Sequence, residues 1–144
     1  LKALVSTMGG RLLQIPRGQK AAYHAALVLT SNYTVTLYAL ASRLLVDMGA
    51  DAEATDGALQ ILLQATVDNL VAEGTPDALT GPIARGDAGT VRTQLGAIPG
   101  ERVDVYKALG LATVGVATEK GLPQDTAAIL ETILKRTQND HDTT

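Results

Sequence analysis

The stretch AAYHAALVLTSNYTVTLYALAS, residues 21–42, decides the fold of this chain. It contains no formal charge, no Gly and no Pro between Lys20 and Arg43. A helix of this length extends about 33 Å, which is enough to cross a small domain. Its Thr, Ser, Asn and His side chains would be left unpaired in lipid, so we expect no membrane span. We predict instead one long central helix, residues 19–48, that is packed on most sides.

The bulk composition indicates one domain with an aliphatic core. The 144 residues are 46% hydrophobic but only 3% aromatic, which favours closely packed helices. The net charge is −3 and no basic cluster is present, so we expect no nucleic-acid partner. The absence of Cys excludes disulfides, thiol catalysis and Cys-ligated metal, and it agrees with a cytoplasmic location.

Periodicity and breaker residues divide the rest of the chain. Residues 1–8 have helical spacing, and RLLQIP at residues 11–16 has the pattern of a short strand closed by Pro16. We therefore expect residues 1–16 to be the last α–β unit of a longer protein, residues 17–138 to be an all-α domain, and residues 139–144 to be a disordered tail. After the long helix we predict a helix that starts near Thr55 or Asp56 and ends at Gly74, and a helix over residues 88–98 with Asp87 as its N-cap. Two more are predicted over residues 101–120 and from Asp125 or Thr126 through Leu134. The segment 75–87 between them, with two Pro and two Gly, is predicted to be irregular.

Polar side chains share one stripe of the long helix. At 100° per residue, Lys20, His24 and Ser31 lie within about 40° of one another, and Asn32 lies about 80° away on the neighbouring flank. An amine, an imidazole, a hydroxyl and an amide in one groove are able to bind and protonate a polar substrate. The alternative is that His24 is a buried histidine with a backbone partner and that the Ser, Asn and Thr side chains bond to carbonyls one turn back.

The segment LTGPIARGD, residues 79–87, is the second candidate site. Gly81 permits close backbone approach and Pro82 suits a first helical turn, so free amides would lie beside the Thr80 hydroxyl and the Arg85 guanidinium. This combination favours a carboxylate or a phosphate. The alternative is a structural turn in which Arg85 pairs with Asp87 or another acid.

Other cofactor sites are not indicated. Neither a GxGxxG nor a Walker motif is present, so we expect no dinucleotide to bind to this chain alone. His24 and His141 are far apart with no carboxylate at ligand spacing, and we therefore predict no metal site.

Three stretches together resemble a known bacterial family: YHAALVLTSNY at 23–33, NLVAEG at 69–74 and LTGPIARGD at 79–87. Proteins of that family have an N-terminal Rossmann-like domain and a C-terminal helical domain of unknown function, and they are similar to the 6-phosphogluconate dehydrogenase-like superfamily. The resemblance implies an all-α domain that helps to form a homodimer and closes a substrate cleft over NAD or NADP held by the N-terminal half. It also implies that residues 1–16 are the end of the Rossmann-like domain.

The resemblance implies roles for the polar residues, with one departure from the family pattern. In the hydroxy-acid dehydrogenase branch, the long helix bears a catalytic Lys with Asn four residues later, whereas here Lys20 is followed by His24. We therefore assign the acid–base role to Lys20 or His24. The residues expected to position the substrate or to hold its anionic group are Ser31, Asn32, Thr80, Gly81 and Arg85.

Two functions follow from these observations as hypotheses. In the first, the chain is the substrate-binding and dimerisation domain of an NAD(P)-dependent oxidoreductase that acts on a small anionic substrate. In the second, it is a non-catalytic dimerisation and ligand-sensing module of a nucleotide-binding protein. The first predicts a cleft lined by Lys20, His24, Asn32 and Arg85, and the second predicts that these side chains are dispersed or bonded internally.

Overall fold

A computed structural model describes Thr7, Gly9 and residues 13–136, and the regular elements in this part of the chain are all helices. They are α1 Lys20–Thr30, α2 Asn32–Asp47, α3 Ala52–Glu73, α4 Ala88–Ala97, α5 Arg102–Glu119 and α6 Gln124–Lys135. The all-α prediction is confirmed for these residues. Of the predicted helix at residues 1–8, only Thr7 is described and is helical, and the predicted tail lies outside the described residues.

The long helix is interrupted, so the prediction of a single element over residues 19–48 is wrong. Ser31 separates α1 from α2, although the hydrogen bonds continue across it. The Ser31 N–H donates to the Leu27 carbonyl at 2.9 Å, and the Val35 N–H donates to the Ser31 carbonyl at 3.3 Å. Three short polar side chains in a row, Thr30, Ser31 and Asn32, compete with the backbone for hydrogen bonds and so favour an irregularity here.

Neither α1 nor α2 is packed on most sides, which corrects the second part of the same prediction. No residue of either helix is buried. Large apolar side chains remain exposed along both of them: Leu27, Leu29, Tyr33, Val35, Leu37 and Val46. A helix without charge is typical of a protein interior, but among the described residues neither helix has a buried side chain.

The predicted strand at residues 11–16 is absent from its described part. Residues 13–16 have no regular structure, and the side chain of Leu13 is 70% exposed. A strand is stabilised by pairing with a neighbour, and the described residues contain no second strand. The apolar pattern of RLLQIP was therefore insufficient to predict the conformation.

Caps explain the observed bounds of the later helices. α3 begins at Ala52, three or four residues before the predicted start, because the Asp51 carboxylate accepts the Ala54 N–H at 2.9 Å. Gly74, at φ 71°, ends α3 as predicted. Asp87 caps α4 as predicted, and residues 75–87 are irregular.

The chain divides into two compact units, residues 1–43 and residues 44–144. The predicted domain boundary after residue 16 stays a prediction. The hydrophobic core of the second unit is formed by residues from the segment 79–87, from α4, α5 and α6, and from the loop between α5 and α6. Its buried members are Ile83, Val91, Val114, Ala117, Leu122, Ala127, Leu130, Ile133 and Leu134.

The closest packing in this core joins α5 to α6. A Cβ added at Gly110 would lie 2.7 Å from Leu134 Cδ2, so a glycine is needed where the two helices meet. α4 is joined to α5 by the Tyr106 hydroxyl, which donates to Gln94 Oε1 at 2.6 Å, and burial raises the pKa of Tyr106. The core of the second unit is thus built from α4, α5, α6 and the segments beside them, and Thr55, the buried residue of α3, is not part of it.

None of the described helices is both long enough and apolar enough to cross a bilayer.

Candidate functional site

A cleft of about 280 Å³ lies at the N-terminal end of α1. Its walls come from the segment before the helix and from the first turns of the helix itself. The lining residues are Ile15, Pro16, Arg17, Gly18, Lys20, Tyr23 and His24. The Gln19 N–H donates to the Pro16 carbonyl at 3.2 Å, and this turn brings the preceding segment to the start of α1.

Lys20 and His24, the two predicted acid–base residues, line this cleft together. Their separation of four residues places them one above the other on the same face of α1. The Tyr23 ring lies beside His24, with 5.6 Å between the ring centroids and 54° between the planes. The cleft therefore presents an amine and an imidazole side by side against an aromatic wall.

The charge of the cleft is positive. Arg17 and Lys20 line it, no acidic side chain does, and residues 1–46 of the sequence contain no Asp or Glu at all. The first-turn amides of α1 add the positive end of a helix dipole to the same place. These features favour an anion, because a carboxylate or phosphate can accept hydrogen bonds from all of these donors.

Ser31 and Asn32 lie elsewhere on the first unit and do not line the cleft. They occupy the interruption between α1 and α2, and Ser31 is seven residues after His24, which corresponds to about 10 Å along a helix. Both residues are exposed. Their predicted role in positioning a substrate stays a prediction, although the cleft itself is built without them.

The threonines near the interruption follow the alternative interpretation. Thr30 Oγ1 donates to the Ala26 carbonyl at 3.1 Å, Thr34 Oγ1 to the Thr30 carbonyl at 2.7 Å, and Thr36 Oγ1 to the Asn32 carbonyl at 3.2 Å. Each hydroxyl is thus bonded one turn back, as short polar side chains in helices commonly are. The polar groups of α1 and α2 therefore do not all require a ligand.

The segment 79–87 is anchored to the core of the second unit. Ile83 is buried in that core, and Gly86, at φ 70°, passes so close to Thr126 that an added Cβ would lie 2.6 Å from its Cγ2. The Asp87 N–H donates to the Pro82 carbonyl at 2.8 Å and closes the turn. Gly81 has φ 95° and open space where a Cβ would be, so its conformation, not crowding, requires glycine.

Thr80 and Arg85, the predicted anion-holding residues of this segment, are both exposed. Arg85 contributes to lowering the pKa of Asp87, although hydrogen bonds from Thr90 contribute more. Lys120 supports the segment from α5, since its Nζ donates to the Asp77 carbonyl at 2.6 Å and to the Leu79 carbonyl at 2.9 Å. The turn is therefore a structural element that also displays one exposed guanidinium.

The predicted site residues are divided between the two units. Lys20, His24, Ser31 and Asn32 belong to the first, whereas Thr80, Gly81 and Arg85 belong to the second. The hypothesis that both groups share one pocket stays a prediction.

Arg17 is the cleft residue that the sequence interpretation missed. The signal that was available is the spacing of Arg17, Lys20 and His24, at intervals of three and four residues.

Comparison with known protein families identifies the family to which this sequence is similar. Residues 1–113 match the family described as "Domain of unknown function (DUF2520)". Neither the curated proteins nor the solved structures returned a match. The matched range includes α1 to α4 and every candidate site residue. Because the match covers 113 of the 144 residues, the chain belongs to the DUF2520 family.

Proposed function

We propose that this chain is the substrate-binding and dimerisation domain of an NAD(P)-dependent oxidoreductase that acts on a small anionic substrate. The observation that supports the proposal most directly is the positive cleft at the start of α1, which brings Arg17, Lys20 and His24 together. The resemblance to the 6-phosphogluconate dehydrogenase-like superfamily supplies the reaction class.

Within this proposal each candidate residue has its own role in binding the substrate or transferring a proton. Arg17 and the first-turn amides hold the anionic group of the substrate, since a guanidinium can bind a carboxylate through two parallel hydrogen bonds. Lys20 or His24 exchanges a proton with the substrate oxygen whose carbon gains or loses a hydride. Thr80, Gly81 and Arg85 add a second set of anion contacts. The nicotinamide, bound by an upstream Rossmann-like domain, supplies or accepts the hydride.

A homodimer forms the second part of the proposal. It is supported by the large apolar side chains that remain exposed on α1, α2 and α3. Helices of such composition are stable when they are covered, and a second copy of the chain is the cover we propose. The cytoplasmic location predicted from the absence of Cys is part of the same proposal.

The acid–base role is tested by Lys20→Ala and His24→Ala in the longer protein that carries the Rossmann-like domain. Because general acid–base catalysis contributes about 10²–10⁴-fold, we expect at least one variant to lose about 100-fold or more in kcat of nucleotide-dependent turnover. Arg92→Ala is a suitable control, because Arg92 is exposed on α4 and belongs to neither candidate site. Losses below about tenfold in both variants and in their combination would remove these residues from the mechanism.

Anion binding is tested on the present chain without any turnover. Small carboxylates and inorganic phosphate are titrated while thermal unfolding is followed, because a ligand at 100 times its Kd stabilises the folded state by about 2.7 kcal/mol. Arg17→Gln should abolish the stabilisation, whereas Arg92→Gln, an exposed arginine on α4, should leave it unchanged. An equal response of both variants would show that the effect is unspecific.

A second function is favoured by the local hydrogen bonds of Thr30, Thr34 and Thr36. In it, the chain is a non-catalytic dimerisation and ligand-sensing module of a nucleotide-binding protein. The two functions differ in one result: the module binds an anion and dimerises, but the longer protein shows no oxidation or reduction with either nucleotide across a panel of small 2-hydroxy, 3-hydroxy and keto acids.

A further inference from the structure

Helix α3 presents apolar side chains to solvent on all sides. Ile61 is 75% exposed, Leu62 63% and Val71 83%, and Thr55 is the buried residue of the helix. At 100° per residue, Leu62 and Leu63 lie about 100° and 200° from Ile61, so no single stripe contains them. A helix that is apolar all round is normally covered, and the described part of this chain leaves α3 uncovered.

The charges of the chain are sorted by segment. Residues 1–46 contain Lys and Arg but no acid, whereas residues 47–84 contain seven acids and no Lys or Arg. In the described residues the salt bridges are Arg102–Asp47 and Lys135–Glu131, so neither Lys20 nor Arg43 is in an ion pair. The basic and acidic segments thus carry complementary charges, and the charges that bound the uncharged stretch of α1 and α2 have no partner among the described salt bridges.

Both segments also carry charges near their two ends. The uncharged stretch of α1 and α2 is bounded by Lys20 and Arg43, which are about 35 Å apart along the helical path. On α3 the outermost acids, Glu53 and Glu73, are about 30 Å apart. Asp56 and Asp68 lie between them and bound the shorter uncharged centre, residues 57–67. Each segment therefore has an apolar centre with charges near its two ends, of opposite sign in the two cases.

We propose that α3 of one copy packs along α1 and α2 of a second copy, and that the reverse contact is made by the same two copies. This is the reciprocal arrangement of a two-fold dimer, in which a patch of one subunit meets a different patch of the other twice. The apolar centres are buried against each other, while Lys20 and Arg43 face the acids at the ends of α3. The proposal rests on the homodimer of the proposed function and assigns its surfaces and its charge pairing.

Two charge-reversal variants test the pairing. The first is Lys20→Glu/Arg43→Glu and the second is Glu53→Lys/Glu73→Lys, and all four positions are exposed, so both variants should fold. Each variant alone places like charges opposite each other in both contacts, and we expect its dimer Kd to rise at least tenfold. An equimolar mixture restores opposite charges in both contacts, so native mass spectrometry should show a heterodimer with a Kd within about threefold of the original. Using both ends makes the test independent of whether the helices run parallel or antiparallel.

The control variant Arg92→Glu/Lys135→Glu changes the net charge by the same amount as the first variant but alters α4 and α6, and it should dimerise normally. Circular dichroism verifies that every variant is folded.

Three results would overturn the pairing in different ways. If the first variant alone dimerises like the original chain, α1 and α2 are outside the interface, as in a contact of α3 with α3. If both variants are weakened but the mixture is not restored, the altered charges do not face each other. If the original chain is monomeric at micromolar concentration, the homodimer of the proposed function fails as well, whereas the first two results leave that homodimer intact.

Discussion

Helices α1 to α3 and helices α4 to α6 both contain aliphatic side chains, but the first group leaves most of them exposed and the second group buries many of them. In the first group Thr55 is the buried residue, whereas the second group buries residues on every helix. On α6 the buried positions, Ala127, Leu130, Ile133 and Leu134, recur at intervals of three and four and so form one stripe. On α3 the apolar positions surround the helix.

The difference shows what a single copy of this chain is able to bury. A striped helix needs one neighbour and finds it within the chain. A helix that is apolar on all sides needs neighbours on several sides, and for α3 these are not supplied by the described residues. The contrast between a covered and an uncovered region can be tested by substitution, and the tests below run from the largest expected effect to the smallest.

Truncation of Leu130 should have the largest effect. Leu130 is fully buried, so Leu130→Ala should lower the free energy of unfolding by about 2–5 kcal/mol through lost burial and a residual cavity. Urea denaturation at one fixed protein concentration measures it, because association also stabilises the folded state. Ile129→Ala, at a position 49% exposed, is the control and should cost at most about 0.5 kcal/mol. Similar losses in both variants would contradict the assigned core.

A charged residue introduced on α3 should weaken dimer formation and leave the folding of the single chain unchanged. Ile61→Glu places a carboxylate in a surface that we propose to be dry in the dimer, so the dimer Kd should rise about 100-fold, or about 2.7 kcal/mol. Sedimentation velocity over a dilution series measures it. Ile129→Glu makes the same chemical change on α6 and should leave the Kd unaltered. An unchanged Kd for Ile61→Glu would place α3 outside the interface.

Two glycines of α5 should respond with opposite signs. Gly110→Ala brings a methyl group to 2.7 Å from Leu134 Cδ2 and should destabilise the fold by about 1–3 kcal/mol. Gly115→Ala meets nothing within 4 Å and should stabilise it by about 0.5–1 kcal/mol, because alanine favours the helix. Thermal unfolding of both variants at equal concentration compares them. A stabilised Gly110→Ala would mean that α5 and α6 separate easily.

The cap of α4 should give the smallest effect, and one that depends on pH. Hydrogen bonds from the Thr90 hydroxyl and the Thr90 N–H lower the pKa of Asp87 below 3.8, so its ionised form is favoured in the folded state. The stabilisation is complete above the ordinary pKa and is lost as the pH falls through the lowered one. Asp87→Asn keeps the capping oxygen but does not titrate, so unfolding curves should show a weaker loss of stability in acid. An identical acid dependence in both proteins would remove Asp87 from the linkage.

The sequence was a good guide where local chemistry decides the structure. Asp87 and Gly74 were predicted to begin and end helices because capping depends on a few neighbouring atoms, and the breaks at Pro99–Gly100 and Gly121–Pro123 follow from the same local rules. The two acid–base candidates were also predicted to share a face, since Lys20 and His24 are four residues apart on one helix.

Tertiary structure decided what the pattern leaves open. For residues 21–42 the pattern predicts a covered helix, but it does not distinguish a cover within this chain from a cover by another molecule. The reason is that composition indicates that a side chain prefers burial and does not indicate which residues bury it. Arg17 lines the cleft because the turn between Pro16 and Gln19 brings it to the start of α1, and the sequence pattern does not predict this position. The sequence by itself determined the helical class of the described residues, the Asp87 cap, the end of α3 at Gly74 and the sorting of charge. The fold determined which helices one copy covers, because burial depends on neighbours that are distant along the chain.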